Sequence, residues 1–288
     1  MTIDDLGNRM KTFYEQISKI KLMRRTPVII RIDGKAFHTF TRGFKRPFDD
    51  VLIKTMQETT KYLCENIQGC VLGYCQSDEI SLVLVDYQRF ETSAWFDYEI
   101  QKMCSISASM ATMAFNKIFS DMVGKLHIQG TLEKEYSCIL YKAAQRGAMF
   151  DARVFNIPKE EVTNCIYWRQ LDASRNSIQM VGQANFSHKE LQNKSCNDIQ
   201  DMLMMQKGIN WNDFPIYQKR GSCCIKEKYF EPVDEEMLPN KGKSNLSFKF
   251  DDGCSNPCED IDTETGVWRT KWIIDTNIPI FKGDGRKY

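Results

Sequence analysis

A hydrophobic strand that ends in Asp-Gly constrains this chain more than any other feature. Val28, Ile30 and Ile32 alternate with Ile29 and Arg31, and Asp33-Gly34 stops the run. Alternation with a period of two is the mark of a strand. Residues 70–75 and 80–85 form two more strand-like runs around Gln76-Ser77-Asp78-Glu79, the layout of a hairpin. Carboxylates at neighbouring strand ends suit divalent cations held against a triphosphate. Nucleotidyl transfer is therefore the first chemistry to consider.

The order of elements frames these two endings. Met10, Phe13, Ile17 and Ile20 predict an amphipathic helix over 6–22. A Gly- and Pro-marked loop at 41–47 leads to Asp49-Asp50, which suits the start of a helix over 51–67. A long helix is expected over 98–119, irregular structure over 120–147 and a fourth strand over 149–156. Pro158 and Glu160-Glu161 open another helix, which runs through Ile166 and Trp168 into a polar stretch at 169–183. More helix is expected near 199–205, with strands at 221–226, 246–250 and 268–274 and a charged loop over 231–263.

The first part thus reads β-α-β-β-α-β. That order predicts an α+β fold: a ferredoxin-like, split β-α-β antiparallel sheet with helices on one face, plus helical and C-terminal extensions. Polymerase palms and RNA-binding modules share this arrangement, and fold alone does not separate them. The expected division is a palm-like catalytic core over 1–156 and, packed on it, a helical segment with a β-containing extension over 157–288.

Composition excludes some classes. No apolar run in the 288 residues approaches the roughly 18 that a membrane helix needs. The start, Met1-Thr2-Ile3-Asp4-Asp5, lacks the basic and apolar regions of a signal peptide, so a cytoplasmic protein is expected. A net charge of +1 means that nucleic acid would need local basic clusters, such as Lys19-Ile20-Lys21 with Arg24-Arg25, Lys45-Arg46 and the basic C-terminus. Eleven scattered cysteines argue against a disulfide framework. Cys223-Cys224 with Cys254 and Cys258 make a poor zinc spacing, and buried thiols are the better expectation. Three histidines without a paired Cys or Ser give hydrolytic triads little support.

Strand alternation sends adjacent side chains to opposite faces. Asp78 is therefore expected to share a metal-facing side with Asp33, and Glu79 to stand behind them or bind in part. Asp33, Asp78 and the Gly34 carbonyl suffice for Mg²⁺, which usually takes one or two protein carboxylates plus phosphate oxygens. The turn Gly34-Lys35-Ala36-Phe37-His38 offers backbone N–H groups to phosphate. Lys35, Arg46, Lys102 and Arg153 would add positive charge, and His38 could stack on or hydrogen-bond a base. The central strands are aliphatic apart from Tyr74, where an RNA-binding module would carry aromatics.

At these residues the chain resembles the tRNA-histidine guanylyltransferase superfamily, the 3′-to-5′ nucleotide-adding polymerases. The resemblance rests on Arg31-Ile32-Asp33-Gly34-Lys35-Ala36-Phe37-His38-x-Phe40, then Phe44-x-Arg46-Pro47-x-Asp49, then Gly73-Tyr74-Cys75-Gln76-Ser77-Asp78-Glu79-x-Ser81. Phe150-Asp151-Ala152-Arg153-Val154 and Trp168-Arg169-Gln170-x-Asp172 follow in order. It implies a palm using two Mg²⁺ ions, with Asp33, Asp78 and the Gly34 carbonyl as ligands and Glu79 as the third acidic residue. It implies a nucleotide site over residues 33–38 with Ser77 and Asp78, and basic contacts from Arg46, Lys102 and Arg153. ATP, GTP and other NTPs are the implied substrates. The implied partner is tRNA, truncated or 5′-monophosphorylated, bound by a homotetramer.

Where the histidine-specific enzymes carry His-Ile-Asn-Asn-Leu-Tyr, this chain reads Ser174-Arg175-Asn176-Ser177-Ile178-Gln179. It is thus more similar to the guanylyltransferase-like branch that repairs 5′-truncated RNA by templated addition. Dedicated G₋₁ addition to histidine tRNA is the second expectation. A nucleotide cyclase or a non-catalytic RNA-binding module is a more distant one.

Overall fold

The structure, a computed structural model, describes residues 3–232 and 266–282. Four strands form the palm: β1 (Val28–Gly34), β2 (Cys70–Gln76), β3 (Glu79–Leu84) and β4 (Phe150–Asn156). With β5 (Ser222–Pro232) and β6 (Gly266–Asp275) they make a six-stranded sheet of order β4-β1-β3-β2-β5-β6. Order 4-1-3-2 among the first four, with every one of their pairings antiparallel, is the split β-α-β arrangement.

Alternation along β1 decides what covers each face. Val28, Ile30 and Ile32 point with Ile80, Leu82 and Leu84 into the main core. There they meet α3 (Asp50–Asn66) and α4 (Ile100–Ile128) through Leu63, Phe115 and Phe119. Ile29, Leu72, Tyr74 and Val83 point the other way, onto Ile166 of α6 (Val162–Asn185). The palm's own helices therefore share one face, and a helix from beyond residue 156 covers the other. The C-terminal half of α6 packs with α8 (Cys196–Lys207) around Ile178, Val181, Ile199 and Leu203. Short helices α2 (Phe37–Phe40), α7 (His188–Leu191) and α9 (Ile216–Arg220) fill the connections.

Three expectations are corrected. The first helix, α1 (Ile3–Met10), gives way to a π turn at Lys11–Glu15 and a 3₁₀ turn at Gln16–Ser18. Beyond Ser18 the backbone is extended, because Leu22 N–H donates to Tyr98 O and Ile20 O accepts from Ile100 N–H. A helix could not make that bridge. The apolar side of the segment, Phe13, Ile17 and Ile20, is exposed. Second, residues 120–147 are mostly helical: α4 runs to Ile128, and α5 (Lys134–Arg146) follows. Phe119 and Val123 extend the buried stripe of α4, and Tyr136, Leu140 and Ala143 make another for α5. Third, the polar stretch 169–183 is the middle of α6.

Two compact units are distinguished, Met1–Ile225 with Trp272–Tyr288, and Lys226–Lys271. The described residues of the smaller one belong to β5 and β6. The strand expected at 246–250 and two of the four suggested zinc ligands, Cys254 and Cys258, lie outside the described residues. Cys223 and Cys224 are buried free thiols in β5. Burial pushes the Cys223 thiol well up, which disfavours the thiolate a metal needs. Among the described residues no cluster of three or more His, Cys, Asp or Glu could hold a metal ion, and no helix is long and apolar enough to cross a membrane.

Candidate active site

The end of the sheet that carries Asp33 is built by two turns that grip each other. Asp33 closes β1, and the N–H of Gly34 donates to the carbonyl of Asp78, 3.1 Å away. The N–H of Lys35 donates to Met149 O at 2.8 Å. A phosphate cradle in this turn is therefore left with the N–H groups from Ala36 onward. Ala36 takes a left-handed conformation, φ 52° and ψ 42°, which swings the chain into α2. Gly34 is required there, since a Cβ at this position would lie 2.2 Å from the Phe37 ring. The Phe37 side chain is buried against Phe40, Phe115 and Phe150, and it floors the site.

The β2–β3 connection is a two-residue turn, Ser77-Asp78, with Ser77 at φ 50°. Asp78 is therefore off the strand, and the alternation argument does not apply to it. Glu79 is the residue directly across from Asp33, and Asp151 stands opposite Asp33 on the other side. Directly opposed residues share a face, so Asp33, Glu79 and Asp151 point the same way.

What separates these acids is their partners. Arg169, on α6, reaches both oxygens of Glu79, at 2.6 and 2.7 Å. The same guanidinium reaches Asp172 at 2.9 Å, and Asp172 also accepts from Arg175 at 2.5 Å. Trp168 lies under both Arg169 and Arg31, with guanidinium carbons 4.5 and 5.6 Å from the ring centre. Burial pushes the Glu79 carboxyl up while Arg169 pulls it back. Asp151 is paired with Arg153 at 3.0 Å. Asp33 and Asp78 have no ion-pair partner among the described residues; the Ser77 hydroxyl donates to Asp78 at 3.0 Å. Burial raises the Asp78 carboxyl above its usual 3.8, and the charge of Asp33 adds to the rise. Two mutually repelling carboxylates without a paired Lys or Arg fit Mg²⁺.

A cavity of about 590 Å³ opens beside Asp78. Phe37, His38, Arg46, Ser77 and Asp78 line it, so five of the expected nucleotide-site residues meet there. Lys45 and Gln183 line it as well. Asp49, also in its wall, is already engaged: it caps α3 through the N–H groups of Val51 and Leu52 and accepts from Lys45 N–H and the Tyr136 hydroxyl. Asp33, Gly34, Lys35, Ala36, Lys102 and Arg153 do not line the cavity. Lys102 lies over the Phe96 ring at 4.9 Å, and Arg153 pairs with Asp151.

Arg169 and Asp172 escaped the reading of the residues themselves, which took 169–183 as merely polar. The signal that could have found them is an arginine one position from an apolar helix stripe, with an acid three residues on. The Ser174–Gln179 segment lies on α6: Ser177 accepts from Trp211 Nε1–H at 3.0 Å, and Asn176 and Ser177 wall a smaller cavity that reaches Ser77.

An antiparallel palm with paired acids at the ends of β1 and the β2–β3 turn defines a nucleotidyl-transferring fold. The comparisons with known proteins narrow that class. The family model described as tRNAHis guanylyltransferase matches residues 7–158. A bacterial tRNA(His) guanylyltransferase-like protein in complex with ATP is 38% identical at a TM-score of 0.72, covering 98% of this chain and 96% of its own. A bacterial protein of the same description in complex with GTP is 37% identical at a TM-score of 0.69, with 99% and 97% covered. The tRNA(His) guanylyltransferase of Schizosaccharomyces pombe is 26% identical over 249 residues, 82% of this chain and 85% of its own. This chain belongs to the tRNAHis guanylyltransferase family of nucleotidyltransferases.

Proposed function

We propose that this protein adds nucleotides to the 5′ end of tRNA in the 3′-to-5′ direction, as a template-directed repair enzyme using ATP, GTP and other NTPs. The observation that carries the reading is Asp78, which feels the charge of Asp33 and lines a cavity walled also by His38, Lys45 and Arg46. Likeness over nearly the whole chain to proteins solved with ATP and with GTP supports the nucleotide class. The Ser174–Gln179 departure supports repair over histidine-specific addition. The second reading, dedicated G₋₁ addition, is favoured by the family description and by the fission-yeast relative.

The chain's own groups divide the work. Arg46 and Lys45 attract and orient a triphosphate, and His38 meets the base or sugar. Asp33, Asp78 and the Gly34 carbonyl would hold Mg²⁺, which when bound supplies charge neutralisation and a more acidic attacking hydroxyl. Arg169 fixes Glu79, and so the turn that carries Asp78. Basic groups around the cavity stabilise charge on the phosphates as the new bond forms.

The test is a panel of labelled tRNAs, each lacking its first nucleotides, beside full-length histidine tRNA, with NTPs and Mg²⁺. Templated extension of several truncated tRNAs supports repair, and single guanylate addition to histidine tRNA alone supports the second reading. Cyclic product from NTP without RNA, or RNA binding with no turnover, would sink both. Light scattering checks the proposed tetramer, which a monomer would refute.

A further inference from the structure

The nucleotide cavity has a neighbour. A second cavity of about 400 Å³ lies between α6, α7 and α8, and it shares Arg46 and Gln183 with the first. His188 and Lys194 join Arg46 in its wall, and no aspartate or glutamate lines it. None of these three side chains enters an ion pair among the described residues, and all are exposed. Gln179 and Gln183 sit one helical turn apart on the α6 side.

We propose that this cavity receives the unpaired strand of the RNA, the template opposite the 5′ end being extended. The inference rests on the proposed 5′ addition. An RNA whose 5′ strand is too short leaves its partner strand single at the duplex end, next to the reacting phosphate. That strand needs cations for its backbone and polar groups for its exposed base edges. Arg46 and Lys194 meet the first need, and the His188 ring can donate a hydrogen bond to a phosphate oxygen beside them. The side-chain amides of Gln179 and Gln183 meet the second, each offering donors and an acceptor. The shared wall at Arg46 and Gln183 lets one nucleotide of the template face the incoming nucleotide in the first cavity.

Binding tests this without turnover. Fluorescence anisotropy gives Kd for an RNA hairpin recessed at its 5′ end, for the same hairpin made blunt, and for labelled ATP. His188→Ala/Lys194→Ala should weaken the recessed hairpin about tenfold, and the salt dependence should flatten by roughly 0.7 in log–log slope for each phosphate no longer neutralised. The blunt hairpin and ATP should bind within about twofold of the unmutated protein, and Lys189→Ala, on the same short helix, should change nothing. Circular dichroism confirms that the variants stay folded. Equal weakening of both hairpins would assign the cavity to duplex backbone, and weakened ATP binding would assign it to nucleotide; either overturns the proposal, as does unchanged affinity for all three. Should the unmutated protein extend no RNA yet prefer the recessed hairpin through these residues, the 5′-addition reading fails and the cavity assignment stands.

Discussion

Arg169 holds both carboxylate oxygens of Glu79, at 2.6 and 2.7 Å, beneath the end of the sheet that carries Asp33. Both side chains are nearly buried, at 8% and 10% exposed. A two-pronged buried pair loses much of its value when one partner is cut away, because the other charge is left uncompensated, at a cost of about 3–5 kcal/mol. Arg169→Ala should destabilise the fold by that order in urea titrations. Arg169→Lys keeps the charge but loses the fork, so it should fall between the two. In both variants turnover should drop while nucleotide affinity changes less, because the guanidinium touches Glu79 and not the nucleotide cavity. Unchanged stability in Arg169→Ala would show that α6 is anchored by its apolar contacts alone.

Asp78 should set an acid limit on activity. Its carboxyl is raised above 3.8 by burial first and by Asp33 next. Only the ionised form can hold a cation, so activity should fall with decreasing pH before an ordinary aspartate would titrate. Cation binding favours the ionised form, and higher Mg²⁺ should move the acid limb to lower pH. Rate against pH at two Mg²⁺ concentrations reads this directly. A limb that ignores Mg²⁺ would place the titrating group elsewhere.

The palm was legible because β1, β2 and β3 are short apolar runs bounded by turn residues and β4 alternates Phe150, Ala152 and Val154 with Asp151 and Arg153, patterns with few alternative readings. Asp33, Asp78 and Glu79 were legible as strand-end acids. Their division of labour was not, because it depends on a two-residue turn that lifts Asp78 off the strand and on a register that sets Glu79 against Asp33. Arg169 is 90 positions from Glu79 in the chain, and no local pattern announces such a pair. The first segment shows the opposite failure. Its heptad-like apolar spacing is a strong helix signal, and helical turns do run to Ser18, but the bridge to Tyr98 and Ile100 ends them there.

Gly34 is a steric necessity at the turn after β1. Gly34→Ala would put a methyl 2.2 Å from Cδ2 of Phe37, which is wedged among Phe40, Phe115 and Phe150 with ring centres 5.2 to 5.5 Å away. Overpacking of this kind costs about 1–3 kcal/mol. The shift would also break the Gly34 N–H bond to Asp78 O that ties the two turns together. Turnover should be lost more completely than stability, measured as rate beside the urea midpoint. A fully active Gly34→Ala protein would mean that the Phe37 ring yields without moving the turn.

Removing the charge of Asp78 should kill the enzyme and steady the fold. A raised carboxyl pKa means that ionisation costs more in the folded than in the unfolded chain. Its contribution to stability is complete below the unfolded value near 3.8 and is lost as pH rises through the folded value. At neutral pH Asp78 is therefore a net cost, from burial without a cation and from repulsion by Asp33. Asp78→Asn keeps the shape and the hydrogen bond from Ser77 while deleting both penalties. The expected gain is about 1 kcal/mol at pH 7, in the range of other relieved active-site strains, and it should vanish below the unfolded value near 3.8. Melting temperatures of the two proteins at neutral and acid pH, without divalent cations, give the comparison. Mg²⁺ should then close the gap from the other side, because it stabilises only the protein that retains the carboxylate pair. A variant less stable than its parent at neutral pH would mean that Asp78 already has a favourable partner in the folded state.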